Sequence, residues 1–158
     1  MGYIKSKGDC AMKWKDNGTD IEFTINEYKP VKNFWCDVTL KVNNKYFNYL
    51  ETGEILESQD VDSILDCIER LLDRKMYHPE EIFFTEPYIS FVFYPPRLER
   101  EVCKLIPLDN VDALTDIYAK MIFELELDEG FGGHYYILEL CEEELKNLKN
   151  YLVKVVNK

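Results

Sequence analysis

Few residues in this chain could carry out catalysis or bind a metal. Its only two histidines, His78 and His134, lie in no motif that would activate a nucleophile. The stretch Asp128–Glu139 has its first and last acids at the separation of a calcium-binding loop, but Gly130 and Gly132 occupy positions where Asp or Asn ligands are needed. We therefore expect no catalytic residues, no metal site and no other cofactor.

Residues 121–140 instead indicate a binding surface on a β-hairpin. With a loop over 128–133, Leu127 lies opposite His134 and Leu125 opposite Tyr136, and the large apolar side chains share one face. The other face combines three carboxylates with one tyrosine and two isoleucines, which is typical of recognition surfaces, although an ordinary solvated face is an alternative. The candidate partner-binding residues of this face and its loop are Glu124, Glu126, Asp128, Glu129, Tyr135, Ile137 and Glu139.

The charge of the chain restricts the class of partner. Its formal net charge is −11 at pH 7; the first 50 residues carry +2, from eight Lys and six acids, so residues 51–158 carry −13. Such a surface repels phosphate backbones and attracts basic partners. We expect a basic protein partner and no direct binding to nucleic acid.

The cysteines and the N-terminal segment bear on the cellular compartment. The cysteine count is odd and no CxxC pair is present, so we expect reduced core residues rather than a disulfide framework. They are Cys10, Cys36, Cys67, Cys103 and Cys141. No apolar run follows the N-terminal lysines and no stretch reaches membrane-spanning length, which predicts a cytoplasmic protein that does not bind membranes.

The pattern of the remaining elements predicts an α+β fold. We expect one domain over 1–158, with 1–18 poorly ordered and 97–117 unassigned, and a mainly antiparallel sheet of about five to six strands with two helices packed on one face. A strand at 21–25 precedes a hairpin that turns at Asn43-Asn44 and pairs Leu40 with Phe47. Strands follow at 82–85 and 88–94. The helices begin at an N-cap Ser58 and at Glu142.

Four segments, spread from about Ile21 to Leu152, resemble the WapI family of bacterial immunity proteins. The most specific are Glu86-Pro87 before an alternating strand and the Gly-Gly-His hairpin before an acid-capped helix. The segments are FWCDVTLKVNNKYFNYLETGEIL, VDSILDCIERLL, EPYISFVFYPP and ELDEGFGGHYYILELCEEELKNLKNYL. Residues 97–117 match no pattern of the family.

The resemblance implies a small cytoplasmic protein that binds and neutralises the C-terminal toxin domain of a bacterial cell-surface polymorphic toxin. Such toxins are commonly nucleases with basic clefts, which fits the acidity of this chain. The resemblance implies no enzymatic activity and transfers no contact residues. Two alternatives stay open: a ligand-binding domain or enzyme with an aromatic pocket near His134, and a non-catalytic subunit of a larger complex.

Overall fold

The computed structural model describes residues 11–95, 117–126 and 133–157, which form an α+β structure. One helix separates two groups of four strands, and a second helix follows the last of these strands. The strands are β1 (Ala11–Asp16), β2 (Thr19–Glu27), β3 (Trp35–Asn43), β4 (Asn48–Glu57), β5 (Glu80–Ile82), β6 (Ile89–Phe93), β7 (Ala119–Leu125) and β8 (His134–Leu140); the helices are α1 (Ser58–Leu72) and α2 (Glu142–Val156).

The strands form two antiparallel sheets, in the orders β1-β2-β3-β4 and β5-β6-β7-β8. The α+β class is confirmed, but the prediction of one sheet with five to six strands was wrong. Each described strand pairs only with the described strands that precede and follow it in the chain, and α1 leads from the end of β4 to the second sheet. Alternation within a strand reveals which side chains are buried, but it does not reveal which sheet the strand joins.

One face of each sheet supplies the hydrophobic core, and the other face is open. Along β3 every second residue is fully buried, from Cys36 to Val42, and along β7 the same holds from Ala119 to Leu125. The helices add an apolar stripe at helical spacing, as predicted. Its buried residues are Val61, Ile64, Ile68 and Leu71 on α1 and Leu145, Leu148, Leu152 and Val155 on α2.

The helices contact each other and both sheets, rather than one face of one sheet. Helix α1 packs on β4 and β6, and α2 packs on β8. Helix α2 also reaches β2, where the Tyr151 hydroxyl accepts a hydrogen bond from the N–H of Ile25 at 2.8 Å and its ring meets Phe23 edge-on at a centroid distance of 6.2 Å. The Tyr136 hydroxyl donates to the Asp16 carboxylate, which connects β8 with β1.

The β3–β4 hairpin turns two residues later than the Asn43-Asn44 turn that was predicted. Asn43 pairs with Asn48, and Leu40 lies opposite Glu51 instead of Phe47. The N–H of Asn44 donates to the carbonyl oxygen of Phe47 at 3.0 Å, so the turn is at residues 45 and 46. The side chain of Asn44 stabilises the turn at this place, because it accepts hydrogen bonds from the N–H groups of Tyr46 at 2.8 Å and of Phe47 at 3.0 Å in an Asx turn.

The chain start and the first helix also differ from the predictions. Residues 11–16 form strand β1, with Trp14 in the core, although 1–18 was expected to be poorly ordered; residues 1–10 lie outside the described residues. Glu57, not Ser58, is the N-cap of α1: the N–H of Glu57 donates to the Asp60 carboxylate at 2.8 Å. Ser58 is buried, and its hydroxyl donates to the carbonyl oxygen of Val31.

The described cysteines Cys36, Cys67 and Cys141 are unbridged, and the first two are buried, which agrees with the predicted reduced core residues. Cys10 and Cys103 lie outside the described residues. No helix in the described part of the chain is long and apolar enough to cross a membrane.

Candidate functional site

The open face of the second sheet carries the residues that the sequence placed on a binding surface. In the β7–β8 hairpin Leu125 pairs with His134, whereas the predicted register paired Leu127 with it. The strands are therefore shifted by two residues. Because side chains alternate with a period of two, this shift keeps every residue on its predicted face.

The observed register brings Glu124 opposite Tyr135 and Ile122 opposite Ile137. Tyr135 and Ile137 are 59% and 48% exposed. We call these four residues, together with the neighbouring Phe83, the acidic-aromatic surface. Phe83 is 72% exposed. Two rings and two isoleucines beside a carboxylate form a surface that can be desolvated by a partner.

The two ends of this surface differ in charge. At one end Glu139 lies opposite Lys120, a cation that the predicted register did not place there, and the Lys120 ammonium also lies 5.5 Å from the centroid of the Tyr94 ring. At the other end Glu124 forms no ion pair with any residue that the structure describes. The negative charge is therefore concentrated at the Glu124 end.

A second group of acidic and phenolic side chains adds to the negative charge at that end. Tyr88 is held beside β7 because its carbonyl oxygen accepts the N–H of Glu124 at 3.0 Å. Burial, followed by the carboxylates of Glu51 and Glu126, raises the pKa of Tyr88. Burial and then Glu126 likewise raise the pKa of Glu51. The Glu51 and Glu126 carboxylates therefore lie close enough to each other and to the Tyr88 hydroxyl to interact electrostatically.

Tyr49 lies within the same group and is only 5% exposed. Its hydroxyl has no hydrogen-bond partner among the described residues. Burial, followed by the Glu51 carboxylate, raises the pKa of Tyr49, and Glu126 and Glu124 act in the same direction. The Glu51 and Glu126 carboxylates form no ion pair with any described residue, so a positively charged partner would be attracted to this group.

A groove of about 170 Å³ opens on the acidic-aromatic surface, and the sequence did not predict it. The segment between β5 and β6 forms one wall and the open face of β6, β7 and β8 forms the other. Its lining residues are Phe83, Phe84, Pro87, Ile89, Ser90, Ile122, Glu124 and Tyr135. Phe83 and Phe84 were assigned to a strand at 82–85, but β5 ends at Ile82. The Glu86-Pro87 pair was the signal that the chain turns here.

Two contacts fix the segment that forms the first wall. The Arg70 guanidinium on α1 binds the Glu80 carboxylate of β5 through two hydrogen bonds of 2.6 and 3.0 Å, and it lowers the pKa of Glu80. The ring of Phe84 packs edge-on against the buried Phe91 at 6.4 Å, and Phe91 stacks on Phe93 at 5.7 Å. These contacts therefore anchor the first wall of the groove to the hydrophobic core.

In the described part of the chain, the other candidate residues do not line the groove. Glu126 is exposed just after β7, and Asp128 and Glu129 lie outside the described residues, as does most of 97–117. His78 and His134 are exposed, and His134 does not line the groove. Within the described ranges no cluster of His, Cys, Asp and Glu could hold a metal ion.

Comparisons with known proteins add no relatives: no family model matches the chain, and no curated protein matches it. The functional argument therefore depends on the fold, the charge and the geometry of the acidic-aromatic surface.

Proposed function

We propose that this protein is an immunity protein of the WapI type, which binds and neutralises the C-terminal toxin domain of a bacterial cell-surface polymorphic toxin. The observation that carries the proposal is the acidic-aromatic surface, where Phe83, Tyr135 and Ile137 are exposed on the same sheet face as the Glu124 carboxylate. The resemblance in sequence supports the same function.

The physical properties of this surface suit a binding protein with a basic partner. Exposed rings at the centre of an interface contribute most of the affinity, because a rigid ring removes a large apolar area from water at a small cost in entropy. Surrounding carboxylates accelerate the encounter with a positively charged partner. A net charge of −11 extends this attraction over the whole molecule.

Binding alone would neutralise the toxin domain, so the proposed function needs no reaction catalysed by this protein. A nuclease holds its phosphate substrate in a basic cleft, and an acidic protein seated there excludes the substrate by charge and by volume. The toxin domain is thus the proposed partner, and it is proposed to be a basic nuclease.

The test is co-expression with the C-terminal domain of a large secreted repeat protein encoded next to this gene. We expect the toxin domain alone to stop growth, and co-expression to restore growth and allow the two proteins to be purified as a complex. Continued toxicity without a complex would overturn the proposal. Restored growth without a complex would argue for an enzymatic antidote instead.

Single variants then locate the interface by surface plasmon resonance. Tyr135→Ala should mainly speed dissociation, whereas Tyr46→Ala, which removes an 81% exposed ring from the β3–β4 loop, should not. Reversing Glu124 and Glu126 to Lys should slow association and weaken its dependence on salt, and the reversal of the exposed Glu54 on the other sheet is the matched control. Equal effects of the site variants and their controls would place the interface elsewhere.

A further inference from the structure

We propose that the groove beside Tyr135 binds one arginine side chain of the partner, with the guanidinium at the Glu124 carboxylate and the aliphatic stem against the apolar walls. This inference rests on the proposed function, because it names the chemistry of the partner group that the acidic-aromatic surface recognises.

The volume of the groove suits a single amino-acid side chain of the partner. Its volume of about 170 Å³ lies below the roughly 300 to 1,000 Å³ that is usual for small-molecule and cofactor pockets. The walls are mainly hydrocarbon, from Phe83, Pro87, Ile122 and the Tyr135 ring. A long side chain with an apolar stem can bury that stem here while its charged end reaches the groove margin.

The negative charge of the groove favours a positively charged side chain. Of the described residues that line the groove, only Glu124 is charged, and it forms no ion pair within the same part of the chain. Lys120 on the same face of β7 is four residues away, which corresponds to about 13 Å along a strand. The carboxylates of Glu51 and Glu126 raise the pKa values of Tyr49 and Tyr88 at the Glu124 end of the surface. The electrostatic potential at this end is therefore negative.

The rings of the groove favour arginine over lysine. A guanidinium is planar and weakly hydrated, so it can stack on an aromatic face while it donates two hydrogen bonds to a carboxylate. Tyr135 lies directly opposite Glu124 in the β7–β8 register, and Phe83 lines the same groove. An ammonium group would keep more of its water and gain less from the two rings.

The floor of the groove is formed before any partner arrives. Ile89 is 1% exposed, and Phe84 is anchored on Phe91 in the core. Little side-chain freedom remains to be lost at these positions when a ligand enters, which favours binding.

The experiment uses the isolated protein and N-acetyl-arginine methylamide as the probe, followed by NMR at constant ionic strength. The matched probes are the citrulline derivative, which is neutral and nearly isosteric, and the lysine derivative. We expect the arginine compound to shift the amide signals of Ser90, Glu124 and Tyr135 with a Kd in the millimolar range. Glu124→Gln should weaken its binding about fivefold, and Glu54→Gln, at an exposed position of the other sheet, should not.

Three outcomes would overturn the inference: no shift of the groove amides, equal binding of the citrulline compound, or equal binding of the lysine compound. None of them requires the toxin domain. If co-expression protects cells and the arginine compound does not bind, the proposed function stands and only this inference fails.

Discussion

The hydrogen bond between Ile25 and Tyr151 provides a sharp test of how α2 is attached to the first sheet. Replacing Tyr151 by Phe keeps the ring that meets Phe23 edge-on and removes the hydroxyl that accepts the Ile25 N–H. The bond is 2.8 Å long and buried, and the pairing of β2 with β3 shifts its register just after Ile25. A buried N–H without an acceptor costs about 1–3 kcal/mol, so we expect a loss of stability of that size.

Urea denaturation gives the free energy of unfolding of the two proteins, and thermal unfolding should show a decrease in Tm of about 2–4 °C per kcal/mol for a domain of this size. Hydrogen exchange at the Ile25 amide should become faster in the variant than in the wild type. The matched control is Tyr135→Phe, which removes a hydroxyl from a side chain that is 59% exposed and should change stability by less than about 0.5 kcal/mol.

If Tyr151→Phe and Tyr135→Phe unfold alike and the exchange of the Ile25 amide is unchanged, the N–H has another acceptor. The reasoning that links burial of this hydrogen bond to its free energy would then be refuted.

Three further predictions concern the core, pH and the histidines. Phe123 is fully buried, so Phe123→Ala should cost about 3–5 kcal/mol in urea unfolding, whereas Leu65→Ala should cost less than about 2 kcal/mol because Leu65 is only partly buried. Because the pKa of Glu51 is raised in the folded state, its ionised form opposes folding; Glu51→Gln should therefore raise Tm at pH 7, and this gain should shrink as the pH falls towards 4. His78→Ala and His134→Ala should keep protection within a few-fold of wild type in the growth assay, and loss of protection with the complex intact would indicate catalysis.

The sequence predicts the faces of the strands better than their register. Faces follow from local alternation, which is why Tyr135 and Ile137 are exposed as expected and Phe123 is buried. Register depends on where a loop closes. In the β3–β4 hairpin the turn lies two residues later than predicted, where the side chain of Asn44 accepts two backbone hydrogen bonds. In the β7–β8 hairpin the pairs shifted by two, which left the surface unchanged.

The tertiary features of the site could not be predicted from the sequence. The groove depends on how residues 83–87 lie over the open face of the sheet, and this is determined by the packing of Phe84 on Phe91 and by the ion pair of Arg70 with Glu80. Neither contact leaves a periodic signal. Strand β1 was missed although Met12 and Trp14 alternate with Lys13 and Lys15. Its turn at Asn17-Gly18, where φ is 48° and 81°, is also typical of a tight hairpin.

The reactivity of the buried Cys36 thiol can be used to measure unfolding. Burial, followed by the carboxylates of Asp60 and Asp62, raises the pKa of Cys36 to about 12, so at pH 7 only about one thiol in 10⁵ is in the reactive thiolate form. The unfolded chain exposes the same thiol with an ordinary pKa, so alkylation at Cys36 counts the molecules that have opened. Pulsed alkylation read by peptide mass can therefore measure how strongly a bound partner holds the fold closed, even in a mixture where the partner dominates every optical signal.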